Sequence, residues 1–316
     1  MALALLATLA AQAGAQTYPD HVVRIINPYP PGGSVDIMAR LLAQKLSEEM
    51  HGNFIVETRA GAGGNTGAEL VAKSAPDGYT LFFTAPGPLV INPTLYANGL
   101  GYDPAKDFAP IALFGSTPLV LMVSNDVPAK NLQELIALAK AKPGSLSFGS
   151  AGIGTTPHLA GELLKSMANI DITHVPYRGT GPAMTDLIGG HIQIFFDLLP
   201  TSLPQIKTGK VRGIANASAA RPASLPDLPT VAEQGLPGFS ADSWYGFVVP
   251  AKMPEAARAS LTAAVQKILK SPDVIARMHD LGAEPGDKFG DDFSAFMRAE
   301  AKKWGDVIRK SGAHVD

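Results

Sequence analysis

The chain has no cysteine among its 316 residues, which excludes disulfides, thiolate catalysis and cysteine-ligated metal or iron-sulfur sites together. Charge is sparse as well. Asp, Glu, Lys and Arg make up 17% of the sequence and leave a formal net charge of -2. The basic excess or stripe of a nucleic-acid binder is therefore missing, and neither DNA nor RNA is an expected partner. No stretch beyond the N-terminus approaches the roughly 20 apolar residues that a membrane-spanning helix requires. The Gly-x-Ser-x-Gly elbow and the Gly-Lys-Ser/Thr ending of a phosphate-binding loop are also absent. What is present is an ordinary globular composition, 46% hydrophobic, at about twice the length of a typical domain.

From Ala2 to Ala11 the N-terminus is apolar except for Thr8, and small residues follow at Ala13-Gly14-Ala15. These read as the apolar and cleavage regions of a secretory signal, residues 1–15, cut near Ala15, although no Lys or Arg precedes the run. The expectation is an exported protein.

Val22–Ile26 reads as a strand ending at Asn27-Pro28-Tyr29-Pro30-Pro31-Gly32-Gly33, after which Ile37, Met38, Leu41, Leu42 and Leu46 fall at helix spacing, with Ser34 as N-cap. Strands are expected at 54–57 and 81–84 around a short helix at 69–75, and two more at 111–114 and 119–124. A second series follows: helix 132–141, strand 146–149, helix 157–167, strand 173–175, helix 182–188 and strand 192–197. A last strand at 244–249 precedes helices at 257–269, 272–281 and 292–310. Alternation of this kind predicts parallel sheet covered on both faces. The chain is expected to start in one lobe (16–118), build a second (119–242) and return (243–316), leaving a hinged ligand cleft between them.

A helix start offers unpaired N-H groups and partial positive charge to an anion without any basic side chain. Gly32, Gly33 and Ser34 supply one such start, and Gly152, Gly154, Thr155 and Thr156, followed by Pro157, supply another. Each loop alone reads equally as a tight turn. Gly152-x-Gly154 meets Pro157 where a dinucleotide fingerprint requires glycine, so nucleotide binding is disfavoured. The cluster Gly61-Ala62-Gly63-Gly64-Asn65 reads either as further ligand contacts or as a surface loop. His158 and Glu162 share the four-residue spacing of paired metal ligands but lack a third, and His158 is read as a hydrogen-bonding cap. Asp197 closes an apolar strand at the carboxyl end, where α/β sheets bind ligands. Trp244 and Tyr245 read as cleft lining or as junction packing, and Asp36 with Arg40 as an exposed pair.

The segments "PYPPGGSVDIMARLLAQKL", "ETRAGAGGNTGAELVAKSAPDGYTL", "GTTPHLAGELLKSMANIDITHVPYRGTGPAMTDLIGG" and "LPDLPTVAEQGLPGFSADSWYGFVVPA" resemble the Bug family, the TctC-type extracytoplasmic solute receptors of tripartite tricarboxylate transporters. The resemblance runs in order from about Tyr18 to the C-terminus. It implies an α/β, two-lobed periplasmic-binding-protein fold of type II, a Venus flytrap in which helices flank a mixed sheet in each lobe. It also implies a ligand carboxylate held between Gly32, Gly33 and Ser34 on one side and Gly152, Gly154, Thr155 and Thr156 on the other; Tyr29 and His158, beside these loops, are further candidate ligand contacts. Waters at Ala62, Gly63 and Asn65, flanking contacts at Thr84, Ala85 and Pro86, and an acid at Asp197 that pairs with a ligand amine complete the implied set. Pro86-Gly87-Pro88-Leu89 and Leu198 depart from the family pattern toward a less polar distal pocket. The expectation is a monomeric receptor with no cofactor, metal or catalytic residue, which hands a small carboxylate to membrane transporter subunits. The alternatives are delivery to a sensor, or an enzyme using His158 and Asp197 as acid and base.

Overall fold

The computed structural model describes residues 18–96 and 99–315; the expected signal segment lies outside the described residues. The first series of elements is β1 (Val23–Asn27), α1 (Ser34–Glu49), β2 (Phe54–Thr58), α2 (Asn65–Ala72), β3 (Thr80–Thr84), α3 (Asn92–Leu95), α4 (Pro104–Asp107) and β4 (Phe108–Val123). The second is α5 (Leu132–Ala141), β5 (Ser147–Ser150), α6 (Thr156–Ala168), β6 (Thr173–Pro176), α7 (Thr180–Ile188), β7 (Ile194–Leu198), α8 (Leu199–Lys207) and β8 (Arg212–Asn216). The chain ends with β9 (Asp242–Pro250), α9 (Glu255–Leu269), α10 (Pro272–Asp280), β10 (Glu284–Pro285) and α11 (Gly290–Ser311).

Strands join in the order β2-β1-β3-β9-β4-β7-β5-β6, with β8 and β10 also on β4. β1 is parallel to β2 and β3, and β5 is parallel to β6 and β7. β1 and β3 are buried rather than alternating, β3 at every position and β1 at all but Arg24. Met38, Leu42 and Leu46, at the helix period, are fully buried where α1 packs on the sheet.

β4 is where the structure departs most from the sequence reading. The runs at 111–114 and 119–124, expected as separate strands, are one strand of 16 residues. Its partner changes along its length: Phe108 to Pro118 pair with β9, whereas Leu119 to Val123 pair with β7. Pro118 sits at the change, where its missing N-H removes a ladder bond. The proline-bearing helix α8 and the strand β8 were not expected from the sequence.

On β9, successive side chains face opposite ways. Trp244 turns toward α11, where its ring meets Phe293 and Phe296 edge-on, and its indole N-H donates to Glu300 over 3.0 Å. The Trp304 indole donates to the same carboxylate oxygen over 3.1 Å. Its neighbours Ser243 and Tyr245 face the other way, toward the starts of α6 and α1.

Candidate ligand-binding site

Four helix N-termini converge on one cavity. It is lined by Gly33, Ser34 and Val35 of α1, by Thr155, Thr156 and Pro157 of α6, by Gly179 and Thr180 of α7, and by Leu198 before α8, with Tyr29, Pro30, Ala85, Ala151 and Ser243 completing the wall. None of the four helices has a side-chain cap hydrogen bond at its first turn. Their orphan N-H groups and dipoles are therefore available to an anion. No lining residue is charged. The cavity measures about 40 Å³, room for about three waters or a carboxyl end group.

Each loop is braced from behind. In the first, Gly32 (φ 79°) donates its N-H to Asp36 Oδ2 over 3.0 Å, and Asn27 Nδ2 donates to Asp36 Oδ1 over 3.3 Å. Arg40 Nε donates to the same Asp36 over 2.9 Å. Asp36 is thus a buried clamp on the loop rather than half of an exposed pair. Ser34 Oγ is hydrogen-bonded to the hydroxyl of Tyr245.

In the second loop, Thr155 Oγ1 donates to Gly152 O over 2.7 Å, and Gly154 N-H donates to His158 Nδ1 over 3.3 Å. Thr156 Oγ1 and Ser243 Oγ lie 3.3 Å apart. Behind them the His158 and His174 rings stack with centroids 4.3 Å apart, and His174 Nε2 lies 2.7 Å from Ser150 Oγ. Burial lowers the pKa of His158 to about 4 and that of His174 to about 3. Both rings are therefore neutral near pH 7, as the acceptor role of His158 requires.

Several residues expected at the site stand back from the cavity. Asp197 is fully buried in β7, and its oxygens accept from Thr180 Oγ1 at 3.1 Å and from Thr201 Oγ1. It supports the start of α7 through Thr180. Burial raises its pKa to about 7. His158 lies in the first turn of α6, stacked on His174 and accepting from Gly154 N-H, so the cap reading holds and the buried ring leaves the acid-base reading no open face. Thr84, the last residue of β3, and Pro86 beyond it are both buried. Asn65 Oδ1 accepts from Asn92 Nδ2 and Tyr102. Gly32 and Gly154 shape their loops without forming the cavity wall.

Ala62, Gly63 and Gly152 line a second, larger cavity of about 510 Å³, together with Gly61, Gly64, Ile153, Tyr177 and Arg178. The two cavities share Tyr29, Pro30, Ala151 and Gly179. Between them the opposing walls nearly touch: a Cβ on Gly179 would stand 2.8 Å from Pro30 Cγ, and one on Gly63 would stand 2.3 Å from Ile153 O.

The sequence reading missed the starts of α7 and α8 and the support from Ser243 and Tyr245. A signal for α7 was available: Gly179-Thr180 follows a strand and opens a helix, as Gly33-Ser34 does. Among the described residues no group of three or more His, Asp or Glu side chains is placed to hold a metal ion.

Residues 38–313 match the family described as tripartite tricarboxylate transporter family receptor. BugT of Bordetella pertussis is 35% identical over 310 residues, covering 98% of this chain and 95% of that protein. An R. palustris protein solved with adipate superposes with a TM-score of 0.91 at 36% identity, covering 93% of this chain and 98% of its own. MatC from Rhodopseudomonas palustris, solved with bound malate, gives a TM-score of 0.87 at 33% identity, covering 92% and 100%.

Proposed function

This chain belongs to the tripartite tricarboxylate transporter receptor family, a family of two-lobed solute-binding receptors, and from that premise we propose that it captures a small carboxylate in the periplasm and delivers it to a membrane transporter. The observation that carries the proposal is the convergence of four uncapped helix starts on one cavity without a charged wall. An anion at a helix N-terminus gains about 0.3–1 kcal/mol, and up to ~2 when partly buried. Four such ends plus hydroxyl donors from Ser34 and Thr156 reach several kcal/mol with no arginine in the cavity. Two neighbours of high similarity were solved with dicarboxylates, adipate and malate, and the same ligand class is assigned here.

We assign the lobes to residues 16–118 with 243–316 and to 119–242, a division supported by the partner change of β4 at Pro118. The receptor reading is also favoured over catalysis by the burial of His158 and Asp197 behind the cavity wall.

A thermal-shift screen of mono- and dicarboxylates tests the proposal. A ligand present at about 1,000 times its Kd adds about 4 kcal/mol of stability. If no carboxylate raises the melting temperature while a neutral sugar does, the proposal fails. Mass spectrometry of the recovered ligand, expected unchanged, separates binding from turnover.

A further inference from the structure

We infer that Arg178 anchors the far end of the ligand, so that this receptor selects a dicarboxylate with one carboxylate in the helix-start cavity and the other in the adjoining larger cavity. The inference rests on the proposed carboxylate-binding function.

Arg178 is the one charged side chain lining the larger cavity. It is exposed, and no hydrogen bond or ion pair engages its guanidinium among the described residues. Its backbone, by contrast, is held on both sides: Tyr177 N-H donates to Ser150 O and Gly179 N-H donates to Ala151 O, each over 3.1 Å. The Tyr177 hydroxyl donates to Asp186 Oδ2 over 2.6 Å, and Gly179 closes on Pro30. The segment that carries Arg178 is thus fixed to the same loop that forms the second anion-binding helix start.

The two cavities differ in a way that suits the two ends of one molecule. The first is small, uncharged and lined by helix starts, with Val35, Pro157 and Leu198 forming an apolar wall. The second opens toward solvent beside a free guanidinium, whose fork of donors matches a carboxylate. The walls they share, Tyr29, Pro30, Ala151 and Gly179, carry no charge, and a methylene chain crosses from one cavity to the other only where Gly179 and Pro30 part from their contact. A monocarboxylate fills the first cavity and leaves the arginine unused.

The test is titration calorimetry with succinate, glutarate, adipate and suberate against monocarboxylates of matching length, in the wild type and in Arg178→Gln and Arg178→Lys. The wild type is expected to prefer one dicarboxylate over its monocarboxylate counterpart by about tenfold or more. In Arg178→Gln that ratio falls to about one, while Arg178→Lys retains part of it. A ratio unchanged in Arg178→Gln, or both ligand classes weakened alike, overturns the inference and leaves carboxylate binding standing. If no carboxylate binds the wild type at all, the function proposed above falls, and this inference with it.

Discussion

Tyr245 stands directly behind Ser34, its phenol hydroxyl hydrogen-bonded to the serine hydroxyl where β9 passes the start of α1. The phenol is fully buried, and burial raises its pKa well above the usual tyrosine range. A protonated Tyr245 that donates to Ser34 leaves the serine proton free to point at a ligand. Two residues earlier on the same face, Ser243 meets Thr156. One strand therefore supports the hydroxyls of both helix starts.

Replacing Tyr245 with Phe removes that donor while keeping the ring. The expected result is a carboxylate affinity about 5–10 times weaker, the equivalent of one hydrogen bond of about 1 kcal/mol, with the circular-dichroism spectrum of the folded protein retained. Ser34→Ala should weaken binding by at least as much. Calorimetric Kd values for Tyr245→Phe that match the wild type would remove the relay from the site.

Glycine at position 63 is demanded by close approach. Its φ of 62° is open to alanine only at some cost, and a Cβ there would come within 2.3 Å of Ile153 O on the opposing wall. Gly63→Ala should prop the cleft apart, at an overpacking cost of about 1–3 kcal/mol that weakens binding roughly 5–150-fold. Small-angle scattering with saturating ligand should give a larger radius of gyration than the wild type. An unchanged radius and affinity would place these walls apart in solution.

The helix starts at Gly33-Ser34 and Thr155-Thr156 were legible in the sequence because their signal is local: a strand, a glycine, a hydroxyl and then helix periodicity. Their pairing followed from the hinged cleft expected between the lobes, and the family resemblance strengthened it. Ser243 and Tyr245 were not legible as supports, since nothing in a strand sequence says which helix its polar face will meet. Asp36 reads as an exposed partner of Arg40 until the loop folds back and Gly32 donates to it. The continuity of β4 was hidden by Ser116-Thr117-Pro118, which looks like a turn. Pro118 instead falls where the strand exchanges partners, so its missing donor breaks no run of pairing.

Asp197 makes ligand binding sensitive to alkali. Its pKa is raised to about 7 by burial, so the folded state holds this proton in the window between the ordinary carboxyl pKa of 3.8 and 7 while the unfolded state does not. Its contribution to stability therefore falls as pH rises through that window, by up to ~1.4 kcal/mol per pH unit. Above pH 7 the ionised carboxylate also repels an anion at the start of α7. Affinity for a carboxylate should drop between pH 6.5 and 8.5 in the wild type and stay flat in Asp197→Asn. Parallel profiles for the two proteins would show that Asp197 does not titrate there.

The stacked histidines pull the acid limb the other way. Their pKa values, lowered from 6.5 to about 4 and about 3, mean that the unfolded chain takes up two protons below pH 6.5 that the folded protein refuses. Stability from this pair is present above pH 6.5 and is lost as pH falls toward 4. Near pH 5 the two histidines outweigh the single proton held by Asp197, leaving a net difference of about one proton. From these three groups, unfolding free energy should then fall by at most about 1.4 kcal/mol for each pH unit of acidification. His174→Gln, which retains a polar group near Ser150, should flatten this slope, whereas Asp197→Asn should steepen it. Urea melts at pH 5, 6 and 7 measure both. A slope that His174→Gln leaves unchanged would mean that the pair is already charged in the folded protein, and Gly154 would then lose His158 as the acceptor for its N-H.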